Sequence, residues 1–122
     1  MKVVGFDHFQ ITMPRGEEQK ARHFYGTILG LKEIPKPPNL ARRGGLWFSV
    51  GNQQLHVSVE QDFRPVRKGH PAFLADDVLS LRKAVEGHGL APYDDTEPLE
   101  GYNRFFLTDP FGNRLEFVEP LK

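Results

Sequence analysis

Residues 6–13 alternate in polarity, with Phe9, Ile11 and Met13 on one face and His8, Gln10 and Thr12 on the other. A period of two with one apolar face predicts a half-buried strand. From Gly16 the period changes. Ala21, Phe24, Tyr25, Ile28 and Leu29 recur at three- and four-residue steps, which predicts a helix with a single apolar stripe. Gly30 suits the C′ position that ends it. Residues 31–34 read as a short strand, and Pro35, Pro37 and Pro38 open a loop expected to run to about Gly45. Residues 46–50 and 54–60 predict a hairpin around Gly51-Asn52. With a two-residue turn, Trp47 faces His56 and Phe48 faces Leu55. Leu55, Val57 and Val59 then share the helix-covered face, opposite His56, Ser58 and Glu60.

The second half repeats this order. Pro71, Phe73 and Ala75 alternate with His70, Ala72 and Leu74. Asp76-Asp77 signals the N-cap of a helix reaching Gly87, with Val78, Leu81, Ala84 and Val85 as its stripe. A loop rich in proline and acidic residues (91–101) leads to a strand at 103–108. The turn Asp109-Pro110-Phe111-Gly112 and a final strand at 114–119 complete the half. Landmarks recur at matching places, since His70 lies 62 residues after His8 and Glu116 lies 60 after His56. Such an internal repeat predicts an α+β fold of two βαβββ modules, at about 3–60 and 69–119, within one domain spanning 1–122. The open faces are expected to form a curved, half-barrel mixed sheet with the helices on its convex side. Parity alone assigns His8, His56, His70 and Glu116 to the open face.

Composition narrows the chemistry. Lys+Arg and Asp+Glu are both 16, so the formal charge is zero and no basic footprint for nucleic acid or an acidic membrane is expected. No uninterrupted apolar run approaches a membrane span, and the N-terminus lacks the apolar core of a signal peptide. With no cysteine, disulfides, thiolate catalysis and Cys-type zinc sites are excluded. A soluble cytoplasmic protein is expected, and any metal must be held by imidazole and carboxylate.

Four segments carry a family resemblance: D-H-F-Q-I near the start, H-F-Y-G-T-I-L-G-L at 23–31, G-H-P-A-F opening the second module, and R-F-F-L-T-D-P-F-G-N-R-L-E-F at 104–117. The chain resembles the vicinal oxygen chelate superfamily of glyoxalases, bleomycin-resistance proteins and ring-cleaving dioxygenases. The resemblance implies that His8, His70 and Glu116 ligate a divalent metal (Fe, Mn, Ni, Co or Zn). His56 stands where glyoxalase I has a glutamate, so it is expected to be a fourth ligand or a general base. That departure argues against simple glyoxalase I activity. Two His and one carboxylate form a facial set that leaves room for a substrate chelating through two adjacent oxygens.

The expected function is therefore a metal-dependent glyoxalase-like enzyme with lyase, isomerase or transferase chemistry on a small-molecule substrate. The alternatives are a ring-cleaving Fe(II) dioxygenase and a non-catalytic drug- or metabolite-binding resistance protein. Glu116 and His56 are the candidate catalytic residues, and Trp47 and Arg104 the candidate substrate-binding ones. Arg104 suits a carboxylate or phosphonate. Arg42-Arg43 reads as a solvated loop, Asp109 as a turn residue bonding its own backbone, and His88 as a helix-capping residue. A homodimer is expected, and whether the site forms within one chain or across two is left open.

Overall fold

The computed structural model describes residues 1–122, and the chain divides into two compact units, Met1–Pro65 and Val66–Lys122. Each is a small mixed sheet with a helix.

In the first unit β1 (His8–Met13) is followed by α1 (Glu18–Ala21), which runs straight into a π-helical stretch, Arg22–Ile28. Then come β2 (Lys32–Ile34), a helical turn α2 (Pro38–Ala41), β3 (Leu46–Val50) and β4 (Gln53–Val59). The sheet order is β1-β4-β3-β2, with β1 parallel to β4 and the other pairs antiparallel. The predicted hairpin register is the observed one: Trp47 pairs with His56 and Phe48 with Leu55 around the Gly51-Asn52 turn. The face carrying Ile11, Met13, Leu46, Phe48, Leu55 and Val57 is buried, and Ala21, Phe24 and Tyr25 supply the helix's share of the core. Each such side chain removed from water contributes about 1.5–3 kcal/mol.

Four expectations for this half need correction. The predicted helix is largely π-wound, with the Leu29 N–H reaching back five residues to the Phe24 carbonyl. The apolar stripe survives because hydrophobic spacing reports which face is buried, not how the backbone bonds. Gly30 does end it, at φ 74°. The loop after Pro35 contains α2, with Pro38 at the first helical turn, where a missing N–H costs nothing. Phe9 was expected to be packed but is 41% exposed: it lies one residue into β1, whereas Ile11 and Met13, further along the same face, are fully buried. The strand itself starts at His8 rather than at residue 6.

The second unit holds β5 (Ala72–Leu74), α3 (Val78–Gly87), β6 (Tyr102–Thr108) and β7 (Arg114–Pro120), in sheet order β5-β7-β6. A single antiparallel bridge, Tyr93 to Phe106, stands where the first unit has β2. Asp77 caps α3 by accepting from the Ser80 N–H, and the Glu119 carboxylate accepts from the Val78 N–H. His88 is the C-cap, as predicted. Val78 and Val85 of this helix are buried, but Ala84 of the predicted stripe is exposed. The inner face stacks Phe73 on Phe117 and Phe105 on Phe117, at 5.3 and 5.0 Å.

The turn before β7 is a polar clasp. Asp109 Oδ1 accepts from the N–H groups of Phe111 and Asn113, and Asp109 Oδ2 accepts from the Asn113 amide at 2.9 Å. Asn113 Oδ1 in turn accepts from the Val66 N–H. Both side chains are buried and fully occupied in shaping the loop, so the D-P-F-G-N motif is accounted for by structure.

Candidate functional site

Both sheets place their functional residues at one register position. In the first unit Gln10 is the strand partner of His56, and His8 lies two residues earlier on the same face. In the second unit Ala72 is the partner of Glu116, and His70 lies two residues earlier. Across the neighbouring strand, Trp47 pairs with His56 and Phe106 pairs with Glu116. His8 thus corresponds to His70, His56 to Glu116, and Trp47 to Phe106.

In the first unit the three rings stack. Trp47 lies 3.9 Å from His56 with the planes 1° apart, and His8 covers the other side of His56 at 4.0 Å. His56 is buried and its Nε2–H donates to Gln54 Oε1 at 2.8 Å. Burial, then the neighbouring His8, hold the His56 imidazole below its ordinary pKa of 6.5; the Asp7 carboxylate opposes this. His56 is therefore neutral at physiological pH, the form that can ligate a metal or accept a proton. His8 is more exposed, and its Nδ1–H donates to Asp7 Oδ2 at 2.9 Å, which leaves Nε2 to act as an acceptor. Further along the same strands Ser58 donates to Gln10 and Thr12 to Glu60, continuing the diagonal ladder that His8 and His56 begin.

In the second unit the arrangement is ionic. His70 Nδ1–H donates to the backbone carbonyls of Lys68 and Arg67, at 2.9 and 3.1 Å. His70 Nε2 then faces Glu116 Oε1 at 2.7 Å. Two acceptor lone pairs cannot sit that close without a cation between them, either a proton or a metal ion. The second Glu116 oxygen, Oε2, accepts from Arg104 Nη1 at 3.1 Å. Arg104 is itself tied by Nη2 to the Glu97 carbonyl at 2.8 Å and lies over the Phe106 ring, 5.1 Å from its centroid.

The donor set suits a divalent cation. A ligating histidine characteristically gives its other N–H to a carbonyl or carboxylate, and both His8 and His70 do so. Each unit by itself brings together two of the four expected ligands, His8 with His56 and His70 with Glu116. No group of three or more His, Asp or Glu side chains is assembled for an ion. Trp47 lies against His56, as its strand pairing requires. Arg104 reaches the carboxylate of Glu116 through Nη1. Arg42 and Arg43 are exposed, with Arg42 bonded only to the nearby Asn39 carbonyl. Asp7, Gln54 and Arg114 were missed in the sequence. Gln54 could have been found from the two-residue alternation that puts it beside His56 on β4; Asp7 and Arg114 carry no pattern that marks them.

A family profile described as the Glyoxalase/Bleomycin resistance protein/Dioxygenase superfamily matches residues 5–117. A crystal structure from Bacillus anthracis assigned to the glyoxalase family is 42% identical, with a TM-score of 0.94 and 98% of each chain covered. Lactoylglutathione lyase from Agrobacterium tumefaciens shares the fold at 21% identity and a TM-score of 0.75, covering 98% of this chain and 96% of that one. A fosfomycin resistance protein from Listeria monocytogenes does so at 13% identity and a TM-score of 0.75, covering 97% and 94%. No curated protein matches the chain.

Proposed function

The chain belongs to the glyoxalase, bleomycin-resistance and dioxygenase superfamily, and from that premise we propose a divalent-metal-dependent enzyme acting on a small substrate that chelates the ion through two adjacent oxygens. The proposed ligands are His8, His70 and Glu116, with His56 as fourth ligand or general base. The four come from the two modules of one chain or of two, and a homodimer is part of the proposal. The observation that carries the reading is the 2.7 Å approach of His70 Nε2 to Glu116 Oε1 while His70 Nδ1–H is committed to backbone carbonyls.

When bound, the ion supplies Lewis acidity that stabilises an oxyanion on the substrate. The protein's own groups do the rest. Arg104 holds the Glu116 carboxylate in one orientation. Asp7 and the carbonyls of Arg67 and Lys68 fix the tautomers of His8 and His70. In the general-base role His56, kept neutral by burial, takes a proton from the substrate carbon or from an attacking water. Trp47 holds the His56 ring in plane and offers a flat wall to the substrate.

The test pairs metal content with turnover. Purified protein loaded in turn with Ni, Co, Mn, Zn and Fe is assayed against hemithioacetals, fosfomycin-like epoxides and catechols. The expected result is one ion per site and turnover of one class that requires the ion. Ring cleavage of a catechol with Fe alone would assign the dioxygenase alternative. Tight ligand binding with sub-stoichiometric metal and no turnover would assign sequestration and end the enzyme reading.

A further inference from the structure

Two guanidinium groups in the second unit converge on one oxygen that neither binds well. Arg104 Nη2 lies 3.7 Å and Arg114 Nη2 lies 3.8 Å from the same atom, Asp95 Oδ2. Both distances are ion-pair contacts beyond hydrogen-bonding range. Arg114 is flattened on Phe106, its guanidinium 4.2 Å from the ring centroid, and its Nε–H is buried with no acceptor. Arg104 covers the same ring at 5.1 Å. The two cations are thus fixed by one aromatic side chain, which is itself the strand partner of Glu116. A buried N–H without an acceptor costs about 1–3 kcal/mol, which is a reason to expect an acceptor there.

Asp95 is a poor permanent partner. It sits on the loop between the Tyr93 bridge and β6, half-exposed, and its other oxygen, Oδ1, is used locally, accepting from the Glu97 N–H and the Thr96 hydroxyl. Beside it a cleft of about 310 Å³ is bounded by residues 94–99 and by Tyr102, Asn103 and Arg104. Planar forks stacked on an aromatic face are suited to a tetrahedral or planar oxyanion.

We propose that Arg104 and Arg114 form an oxyanion-binding subsite in which the Asp95 carboxylate holds the place of an anionic group, a carboxylate, phosphonate or phosphate, on the substrate. This rests on the functional reading above for the identity of the ligand as substrate, and it narrows that substrate to one carrying a negative charge near its two chelating oxygens. Arg104 links the two places directly, since its Nη1 binds Glu116 while its Nη2, which donates to the Glu97 carbonyl, also lies 3.7 Å from Asp95 Oδ2. Asp95 yields to the incoming anion as the loop moves, and the cost of displacing it sets the affinity.

The test is a titration of the full chain with methylphosphonate in chelator-treated buffer, followed by the arginine Nε–H resonances. A saturable shift of Arg114 Nε–H is expected, and none with the neutral dimethyl ester. Asp95→Asn keeps the loop bonds made through Oδ1 and removes the charge facing the guanidiniums, so binding should tighten roughly tenfold. Arg114→Lys loses the planar fork and should weaken binding roughly tenfold. No saturable shift, an equal shift with the ester, or an Asp95→Asn affinity no higher than that of the unaltered protein would overturn the subsite. No metal enters this titration, so its failure leaves the metal reading standing, and a failed metal loading leaves the titration unaffected.

Discussion

The two modules put a histidine at the same register position and then treat it in opposite ways. In the first, His8 meets a second imidazole and an indole, and the interaction is a stack of flat rings around a neutral His56. In the second, His70 meets a carboxylate that also holds an arginine, and the interaction is a hydrogen-bonded chain from His70 through Glu116 to Arg104. The backbone repeat supplies equivalent places, and the side chains opposite decide what those places do. A pair of imidazoles offers neutral donors; a carboxylate brings the negative charge that a divalent cation needs. Neither module alone brings together more than half of the proposed ligand set.

The largest expected effect comes from the aromatic partner in the ionic module. Phe106 is almost fully buried and carries both arginines, so Phe106→Ala should cost about 3–5 kcal/mol in chemical denaturation. Trp47→Ala, its counterpart, should cost less because Trp47 is only half-buried. Equal losses would show that the two positions are alike in more than register. Next comes Glu116→Gln, which keeps the shape but removes the anion between His70 and Arg104. The expected cost is about 1–3 kcal/mol, read from the same denaturation curves. A stabilising Gln would mean that the native pair is strained for function.

A smaller effect separates the modules by pH. His56 binds its proton more weakly when folded than when unfolded, so the unfolded chain takes up the proton first as pH falls. Stability should therefore decline as pH drops below about 6.5 and level off once the folded imidazole is also protonated. His56→Gln should flatten that part of the pH–stability curve, and an unchanged slope would locate the proton uptake elsewhere. The smallest effect is expected of Asp7→Asn. Asp7 raises the His56 pKa, so its loss should shift the NMR titration of His56 to slightly lower pH.

The sequence carried the repeat and the strand faces because both rest on local rules. The Gly51-Asn52 turn fixes the pairing of Trp47 with His56, and two-residue alternation separates His56 from Leu55 and Val57. The same alternation places His70 and Glu116 on one face, where they meet. Packing depth was less legible. Phe9 has the right parity but lies at the start of its strand, and alternation does not say how far along a strand the covered stretch reaches. The π-winding of Arg22–Ile28 leaves no mark on an apolar stripe that either helix type would bury. The partners that tune the site were the least visible. Arg114 and Asp95 are 19 positions apart, and nothing in their local sequence announces that one faces the other.

The account turns on what lies between His70 Nε2 and Glu116 Oε1. Manganese(II) binding, followed by loss of the free-ion electron paramagnetic resonance signal, addresses this directly when the unaltered protein is set beside His70→Ala. The account predicts saturation at one ion per site for the unaltered protein and no saturable binding for the variant, with the variant still folded by circular dichroism. Equal manganese uptake by the two proteins, or none by either across the first-row divalent metals, would contradict it.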